Sequence, residues 1–424
     1  MKRVAITGGG ISGLSLAQLL KDHYDVSIFE KENEPGGLVR CKTVNGSLFH
    51  ICGGHVFNSK FQDVLDWFWK FFDQDKEFIK ADRNSVVFME DGRQIPYPIE
   101  NHAYKFDDVT QKSIIKDLLD INRTGLNGQE AINFEDFLQQ RFGKTLYELY
   151  FKPYNTKVWR RDLSAVPLKW LKGKLPMPTV EEIIYNNFNH VEEKKFVHAR
   201  FWYEKKGGSQ FLIDRLSKRL NIITNSNIQE VIYEGGKWKV NGEDFDIVVF
   251  CGNIKQLPSM LKNTDLGTYS NEIDNLESHG TTSVFCQIDT NPYSWIYLPS
   301  NKHESHRIIC TGNFSPNNNG QQGITTGTVE FTDYISKEDI LDNLTRIPLH
   351  PVYLDHHYSK YTYPIQSNDT REMIKSLKSK LATKGFYMTG RFADWEYYNM
   401  DAAIKASLET AKQILKDEDS ANNK

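Results

Sequence analysis

The chain has 424 residues, more than a single hydrophobic core usually supports, so we expect two or three domains or one elaborated domain. Hydrophobic residues make up 39%, charged residues 25%, and the net charge is -3, which is typical of a globular protein and excludes a strongly basic nucleic-acid-binding chain. No apolar run approaches the roughly 20 residues of a membrane-spanning helix, so we expect a cytoplasmic protein with no membrane span and no nucleic-acid partner.

The hydrophobic pattern predicts alternating strands and helices at the start of the chain and a mainly helical middle. In chain order it predicts a strand at 3–7, a helix at 11–23, a strand at 25–30, a helix at 60–73, a hairpin at 85–98, helices through 107–195, strands at 222–250 and 280–332, and helices at 371–385 and 401–417. The first thirty residues therefore form a βαβ unit, which we expect later segments to complete.

A glycine turn joins the first predicted strand to the first helix. Gly8, Gly10 and Gly13 have the GxGxxG spacing that lets a helix N-terminus face a pyrophosphate. Glu30 ends the second strand, where its carboxylate is placed to accept hydrogen bonds from a ribose diol. Together these residues predict a nucleotide site.

A second glycine pair favours FAD over NAD at that site. Gly36 and Gly37 form another glycine turn shortly after Glu30, and the apolar run 244–252 ends in Cys-Gly like a strand that returns beneath the cofactor. This arrangement resembles the FAD-binding glutathione-reductase-like family more than the NAD dehydrogenases. We therefore expect a Rossmann domain that binds FAD.

The sequence lacks the motifs of several common active sites. It has no second GxGxxG for a nicotinamide, no redox CxxC, no GxSxG and no HExxH. His50, Cys52 and His55 surround a glycine pair without a fourth ligand, so we expect no metal site. The five cysteines suggest no disulfide framework, which suits a reducing compartment. A covalent bond from a His or Cys to the flavin stays open.

Arginines and aromatic residues recur in apolar surroundings through the second half of the chain. Arg307 and Arg391 are candidates to clamp a diphosphate, because a guanidinium bonds two oxygens at once and keeps its charge. Tyr and Trp side chains suit the faces of a sugar or a base. Taken singly, residues such as Tyr297 and Trp159 more often belong to a hydrophobic core, and an arginine such as Arg307 more often forms a surface ion pair.

Four motifs, in order, resemble one family. They are GGHVF at 53–57, IPYPIENH at 95–102, PYNTKVW at 153–159 and GRFADWEYYNMD at 390–401. Up to about residue 412 the chain is similar to the UDP-galactopyranose mutases, flavoenzymes that interconvert the pyranose and furanose forms of a nucleotide sugar. The resemblance implies an isomerase in which N5 of reduced FAD attacks the anomeric carbon, the nucleoside diphosphate leaves and returns, and no net redox change occurs.

The resemblance also implies roles for individual residues. The implied catalytic residues are Arg307, Arg391 and His55, the last beside the flavin. The implied substrate-binding residues are Asn155, Trp159, Lys174, Tyr297, Phe314, Tyr363 and Tyr397. The implied FAD-binding residues are Gly8, Gly10, Ile11, Ser12, Gly13, Glu30, Lys31, Gly37, Leu38, Gly54, His55, Gly390, Arg391 and Asp401.

The motifs leave the sugar open. Phe314 stands where the eukaryotic-type pattern has Tyr, Lys174 stands where it has Arg, and eukaryotic-type and bacterial-type motifs are mixed. The substrate is UDP-galactose or a related UDP- or dTDP-sugar. Two other classes stay open. One is an FAD-dependent oxidoreductase like the amine or protoporphyrinogen oxidases, for which we would expect a more apolar cleft. The other is a non-catalytic flavin-binding protein.

We expect an α/β fold with a glutathione-reductase-like FAD-binding domain, an inserted helical domain and an antiparallel-sheet substrate domain. The predicted segments are 1–75, 195–255 and 380–424 for the first, 105–195 for the second, and 76–104 with 275–375 for the third. We also expect loops that close over the substrate and an external reductant for the flavin, and the chain is compatible with a homo-oligomer.

Overall fold

The computed structural model describes residues 1–125, 131–168, 178–192 and 199–422. Its strands are β1 (Arg3–Thr7), β2 (Asp25–Phe29), β3 (Cys41–Val44), β4 (Ser47–His50), β5 (Phe78–Asp82), β6 (Ser85–Phe88), β7 (Gln94–Pro96), β8 (Arg200–Glu204), β9 (Asn221–Ile223), β10 (Val231–Glu234), β11 (Lys237–Val240), β12 (Glu243–Phe245), β13 (Ile247–Phe250), β14 (Leu261–Lys262), β15 (Glu277–Ile288), β16 (Trp295–Tyr297), β17 (Arg307–Ile309), β18 (Thr325–Thr332), β19 (Val352–Ile365) and β20 (Phe386–Met388). Its helices are α1 (Ile11–Leu20), α2 (Gln62–Phe68), α3 (Gln74–Glu77), α4 (Asp108–Thr124), α5 (Phe134–Leu146), α6 (Lys152–Trp159), α7 (Val180–Phe188), α8 (Gly208–Leu216), α9 (Leu257–Met260), α10 (Tyr269–Asp274), α11 (Lys337–Leu344), α12 (Thr370–Ala382) and α13 (Met400–Asn422).

Five parallel strands form the sheet that carries the glycine turn. Their order is β20-β13-β1-β2-β9, so the first strand is central and its neighbours come from distant parts of the chain. Val4, Ala5 and Ile6 are fully buried, as expected when both faces of a parallel sheet are covered. Helix α1 packs against α13, and Leu14 and Ile404 share one hydrophobic core.

A second sheet has seven strands in the order β19-β15-β18-β17-β16-β6-β7. It is antiparallel as expected, apart from β16 and β6, which pair in parallel. Strand β5 does not join it and pairs with β8 instead. Strands β10, β11, β12 and β14 form a separate small sheet.

The described part of the middle segment is helical, as predicted. Helix α4 begins after Asp107, whose carboxylate accepts hydrogen bonds from the backbone of Val109 and Thr110. Helix α7 begins with a capping box formed by Thr179 and Glu182. An aromatic-rich core joins these helices to β16 and β17. None of the helices in the described ranges has the length and apolar composition that crossing a bilayer requires.

The predicted elements are confirmed, with shifts at their ends. The helix predicted at 60–73 ends at Phe68 and is followed by the short α3. The hairpin predicted at 85–98 turns at Gly92, which has a φ of 88°. The division into three domains at the boundaries given above stays a prediction.

Candidate active site

A cavity of about 2020 Å³ opens at the carboxyl ends of β1, β2 and β13 and extends to the seven-stranded sheet. Ligands of parallel α/β sheets bind at this edge of the sheet. A pocket for one small ligand has a volume of about 300–1,000 Å³. The cavity is therefore large enough for a dinucleotide together with a second ligand.

The glycine turn forms the floor of this cavity. A Cβ on Gly13 would lie 2.0 Å from the carbonyl oxygen of Gly8, so only glycine allows the helix to approach the turn this closely. A Cβ on Gly10 would meet nothing within 4 Å, because Gly10 faces the open cavity. Helix α1 starts there without a side-chain cap or an acidic residue in its first turn. Its N–H groups are thus available to an anion.

The Glu30 carboxylate is fixed at the end of β2. One of its oxygens accepts a hydrogen bond from the Gly9 backbone across 2.8 Å, and the other accepts one from the Glu32 backbone across 3.0 Å. Glu30 is only 6% exposed, yet it lines the cavity. A carboxylate has about four acceptor sites, so capacity remains for the hydroxyls of a ribose.

His55 lies against the segment that follows the second glycine pair. Its Nε2 donates a hydrogen bond to the Leu38 carbonyl across 3.0 Å. Burial, and then the charge of Arg391, lowers the pKa of His55 to about 4. The ring is therefore neutral at neutral pH and is a weak base, which suits contact with a ligand better than proton abstraction.

Arg307 is held at the cavity wall by a buried carboxylate. Its Nε donates to Glu330 Oε2, and Glu330 is fully buried. The other oxygen, Oε1, accepts a hydrogen bond from the Gly53 backbone across 2.8 Å, which ties the arginine to the loop that carries His55. Arg307 also donates to the hydroxyl of Tyr363 across 3.0 Å. The guanidinium is thus oriented before any ligand arrives.

Arg391 lies over two stacked tyrosines. Its guanidinium carbon is 4.3 Å from the ring centroid of Tyr397 and 5.3 Å from that of Tyr363, and the two rings are nearly parallel with centroids 5.5 Å apart. Arg391 Nε is buried and has no hydrogen-bond partner among the described residues. An unpaired buried donor costs about 1–3 kcal/mol. This atom therefore marks the place of a ligand oxygen.

The structure brings the whole predicted FAD-binding set to this one cavity. Asp401 lies in the first turn of α13, beside the cavity, and burial raises the pKa of its carboxyl. The open space at Gly10 and the uncapped helix fit a dinucleotide with an anionic pyrophosphate. The lining residues from the predicted set are Gly8, Gly10, Ile11, Ser12, Gly13, Glu30, Lys31, Gly37, Leu38, Gly54, His55, Gly390, Arg391 and Asp401.

The predicted substrate-binding set is divided. Arg307, Tyr363 and Tyr397 line the cavity beside Arg391. Four other side chains, those of Asn155, Trp159, Tyr297 and Phe314, do not belong to the cavity lining as the structure describes it. Lys174 lies outside the described residues.

Each of those four side chains has a different neighbour. Asn155 donates to the carbonyl of Phe151 one helical turn earlier. The Trp159 ring meets the edge of Phe134, and Phe314 is 2% exposed in an aromatic cluster with Trp295 and Tyr203. Tyr297 accepts a hydrogen bond from Arg83 across 2.5 Å. Their predicted contacts with substrate stay predictions.

Arg83 and Glu330 are charged residues of this site that the sequence motifs did not indicate. Arg83 lines the cavity with its guanidinium carbon 4.8 Å from the Trp295 ring centroid, so a further arginine reaches the ligand space. Glu330 belongs to no motif in the sequence, because it meets Arg307 only where β18 pairs with β17. For Arg83, the sequence offered only the polar pair Arg83-Asn84, which stands before the hairpin that contains IPYP.

The described residues contain no group of three or more His, Cys, Asp or Glu side chains arranged to hold a metal ion. His50, a candidate ligand by sequence, is instead fully buried, with Tyr203 and Ser209 as hydrogen-bond partners at 2.8 and 3.1 Å.

Three curated proteins that are similar to this chain over nearly their full length are mutases. The UDP-galactopyranose mutase of Mycoplasma genitalium is 22% identical over 97% of this chain and 94% of its own length. The probable UDP-galactopyranose mutase of Klebsiella pneumoniae is 24% identical, with coverages of 98% and 95%. The dTDP-fucopyranose mutase of Escherichia coli is 22% identical, with coverages of 98% and 99%.

Solved structures agree on the fold. A crystal structure of reduced UDP-galactopyranose mutase has a TM-score of 0.85 at 20% identity, covering 98% of this chain and 94% of its own. A putative protoporphyrinogen oxidase from Exiguobacterium has a TM-score of 0.75 at 14% identity, with coverages of 97% and 98%. The predicted fold class is thus confirmed.

The model of the flavin containing amine oxidoreductase family matches residues 11–415, nearly the whole chain. The full-length relatives named above are mutases, which confirms the expected isomerase and the resemblance to the UDP-galactopyranose mutases. The chain therefore belongs to the flavin containing amine oxidoreductase family and is similar over almost its full length to the mutases named above.

Proposed function

We propose that this protein is a flavin-dependent mutase that interconverts the pyranose and furanose forms of a nucleotide sugar, UDP-galactose or a related UDP- or dTDP-sugar. One observation carries the proposal. Arg307 and Arg391 both contact Tyr363, one ring of the stacked tyrosine pair, in the same cavity that the glycine turn of a dinucleotide site lines. Two arginines close to a dinucleotide site suit a substrate that carries a diphosphate in addition to that of the cofactor.

When bound, reduced FAD would supply a nucleophilic nitrogen for the anomeric carbon, and an external reductant would supply the electrons that reduce it. The residues of the chain neutralise the charge of the diphosphate and orient the substrate. Arg307 and Arg391 offset the charge that develops on the leaving diphosphate, and the Tyr363 hydroxyl stays bound to Arg307. Because Glu330 and the tyrosines fix both guanidiniums in advance, little reorganisation is needed as the bond breaks.

His55 contributes a neutral ring rather than a charge. Its Nε2–H is engaged by Leu38, which fixes the ring plane beside the residues that line the FAD cradle. The neutral state follows from its lowered pKa. A cationic imidazole there would add a third positive charge next to the two arginines.

The test is anaerobic turnover. The purified yellow protein is reduced with dithionite, given UDP-galactofuranose, and the two ring forms are separated by chromatography. UDP-N-acetylhexosamines and dTDP-fucofuranose follow as a panel. Conversion by reduced and not by oxidised enzyme supports the mutase and identifies the sugar. Consumption of oxygen with an amine or porphyrinogen, without conversion of any nucleotide sugar, would replace the mutase by an oxidase.

A further inference from the structure

The helix with the PYNTKVW motif holds a turn of the second sheet through one lysine. Lys157 Nζ donates to the carbonyl oxygens of Leu298 at 2.9 Å and Ser305 at 3.0 Å, and also to that of Ser300. An ammonium has three protons, and each of them is used here by a backbone carbonyl. We call this arrangement the carbonyl clasp.

The clasped turn connects the two strands that carry cavity-side residues. It joins β16, which ends at Tyr297, to β17, which begins at Arg307. Two of the clasped carbonyls lie within three residues of Tyr297, and the third lies two residues before Arg307. The conformation of this turn therefore determines the position of the Arg307 backbone at the start of β17.

The same helix face makes a second contact with the turn. Tyr154 lies three residues before Lys157 on α6, and its ring is 5.5 Å from that of Tyr297 and 6.4 Å from that of His306. At the end of the helix, the Arg160 side chain donates to the carbonyl of Thr332 on β18. Helix α6 is thus attached to the strands on both sides of Arg307, although its Asn155 and Trp159 side chains do not line the cavity.

We propose that Lys157 is a positioning residue whose ammonium, by clasping the turn between β16 and β17, sets the place of Arg307 in the substrate half of the cavity. The inference rests on the proposed function for its effect on substrate, while the clasp itself concerns the turn alone. It gives the motif a role in supporting the arginine beside the predicted substrate contacts.

The clasp depends on the charge of the lysine. A neutral amine has two protons and leaves one of the three carbonyls without its donor. Burial lowers the pKa of Lys157 to about 7, against the opposing effect of Glu304 and Glu90. The clasp is therefore complete below neutral pH and loses one of its three hydrogen bonds as the pH rises through this value.

The other ionisable groups around the clasp are few. His303 and His306, on the turn, both have pKa values lowered by burial and stay neutral in this range. Arg160, from α6, pairs with Glu304 at 3.2 Å. Glu90, at the end of β6, accepts from the Ser300 hydroxyl at 3.3 Å and lies 3.5 Å from Lys302.

The test compares Lys157→Met and Lys157→Arg with Lys152→Met, a matched substitution on the same helix at an exposed lysine that pairs with Glu148 at 3.4 Å and lies 5.7 Å from the Tyr147 ring centroid. Two readouts are taken on the FAD-loaded protein at about pH 6 and pH 9. Hydrogen exchange by mass spectrometry reports on the peptide that spans 298–309, and calorimetry reports the affinity for UDP.

In Lys157→Met we expect faster exchange in 298–309 and UDP binding weaker by about tenfold to a hundredfold, the effect of misplacing a binding group by about 1 Å. Wild-type affinity should fall more steeply between the two pH values than that of Lys157→Met or Lys157→Arg. Glu100, which lines the same cavity and whose pKa burial raises to about 7, contributes equally to all three proteins, so the difference in slope reports on Lys157. Lys152→Met should match wild type throughout.

Wild-type exchange and wild-type UDP affinity in Lys157→Met would overturn the proposal. So would loss of affinity that keeps the full wild-type pH dependence, because the titrating group would then lie elsewhere. If no form of the protein binds UDP or dTDP while exchange in 298–309 still responds to Lys157, the nucleotide-sugar function fails and the clasp stands.

Discussion

Arg307 and Glu330 occupy directly paired positions on neighbouring antiparallel strands, β17 and β18, and their side chains form an ion pair with the carboxylate fully buried. The other oxygen of that carboxylate accepts the Gly53 backbone N–H. One buried acid thus connects the wall that faces substrate to the loop that faces the cofactor. Removing one partner of such a buried ion pair strongly destabilises the fold, because the other charge stays buried without a counter-ion.

Replacing Glu330 with Gln keeps the shape and the bond to Gly53 but removes the charge that balances Arg307. We expect the variant to unfold at a lower temperature, because removing one partner of a buried pair costs about 3–5 kcal/mol. Turnover should fall while bound flavin is retained. Calorimetry and the mutase assay measure this, with Glu243→Gln, in an exposed pair with Arg3, as the control. Equal stability of both variants would contradict the role of Glu330.

Arg307→Ala and Arg391→Ala should each lower turnover severely, by about a hundredfold to a thousandfold, the effect of removing one preorganised charge donor. Each variant should keep its flavin spectrum, since the glycine turn and Glu30 are untouched. The measurement is the reduced-enzyme assay on protein of matched flavin content. Full activity in either variant would remove that arginine from the diphosphate clamp.

Two glycines of the same fingerprint should respond differently to alanine. In Gly13→Ala the methyl group would collide with the Gly8 carbonyl at 2.0 Å, so the fold itself should be destabilised. In Gly10→Ala the methyl group enters open cavity space, so stability should be unchanged while FAD affinity falls. Thermal unfolding of apoprotein and flavin titration separate the two effects. Strong FAD binding by Gly10→Ala would place the cofactor elsewhere.

Glu204 predicts a pH dependence of stability. It is fully buried, neither carboxyl oxygen has a hydrogen-bond partner in the described structure, and burial raises its pKa to about 8. The folded state therefore holds a proton that the unfolded state releases above about pH 4.3. Between these values the contribution of Glu204 to stability falls as the pH rises, by up to about 1.4 kcal/mol per pH unit.

Glu204→Gln is neutral at every pH and should lose this slope. The variant should gain stability relative to wild type as the pH is raised from about 5 to 8, measured by urea unfolding at each pH. Asp244→Asn, at an exposed position, is the control. Parallel curves for wild type and Glu204→Gln would mean that Glu204 is ionised in the folded protein.

Local pattern was enough to predict the cofactor half of the site. Gly8, Gly10, Gly13 and Glu30 lie within one βαβ unit, where spacing along the chain fixes spacing in the fold, and all of them line the cavity. The second glycine pair is equally local, and the backbone of Gly36 bonds directly to Gly9.

The substrate half depends on pairing between remote strands, which no local pattern encodes. Glu330 reaches Arg307 only through the register of β17 and β18, and Arg83 reaches Tyr297 through the parallel pairing of β6 with β16. The motif around Lys157 was visible in the sequence. Its partners are backbone carbonyls, which carry no residue identity, so the sequence could not indicate what the lysine binds.

The central sheet also constrains how the protein is made. Strand β1 emerges first from the ribosome, but its neighbour β13 follows only at Ile247–Phe250 and the edge strand β20 at Phe386–Met388. Gly390, Arg391 and Asp401, which close the cofactor cavity, come later still. A nascent chain must therefore keep its first strands from other pairings until synthesis is almost finished. The flavin can be captured in full only after that point, so chains released early should lack the colour of the complete protein.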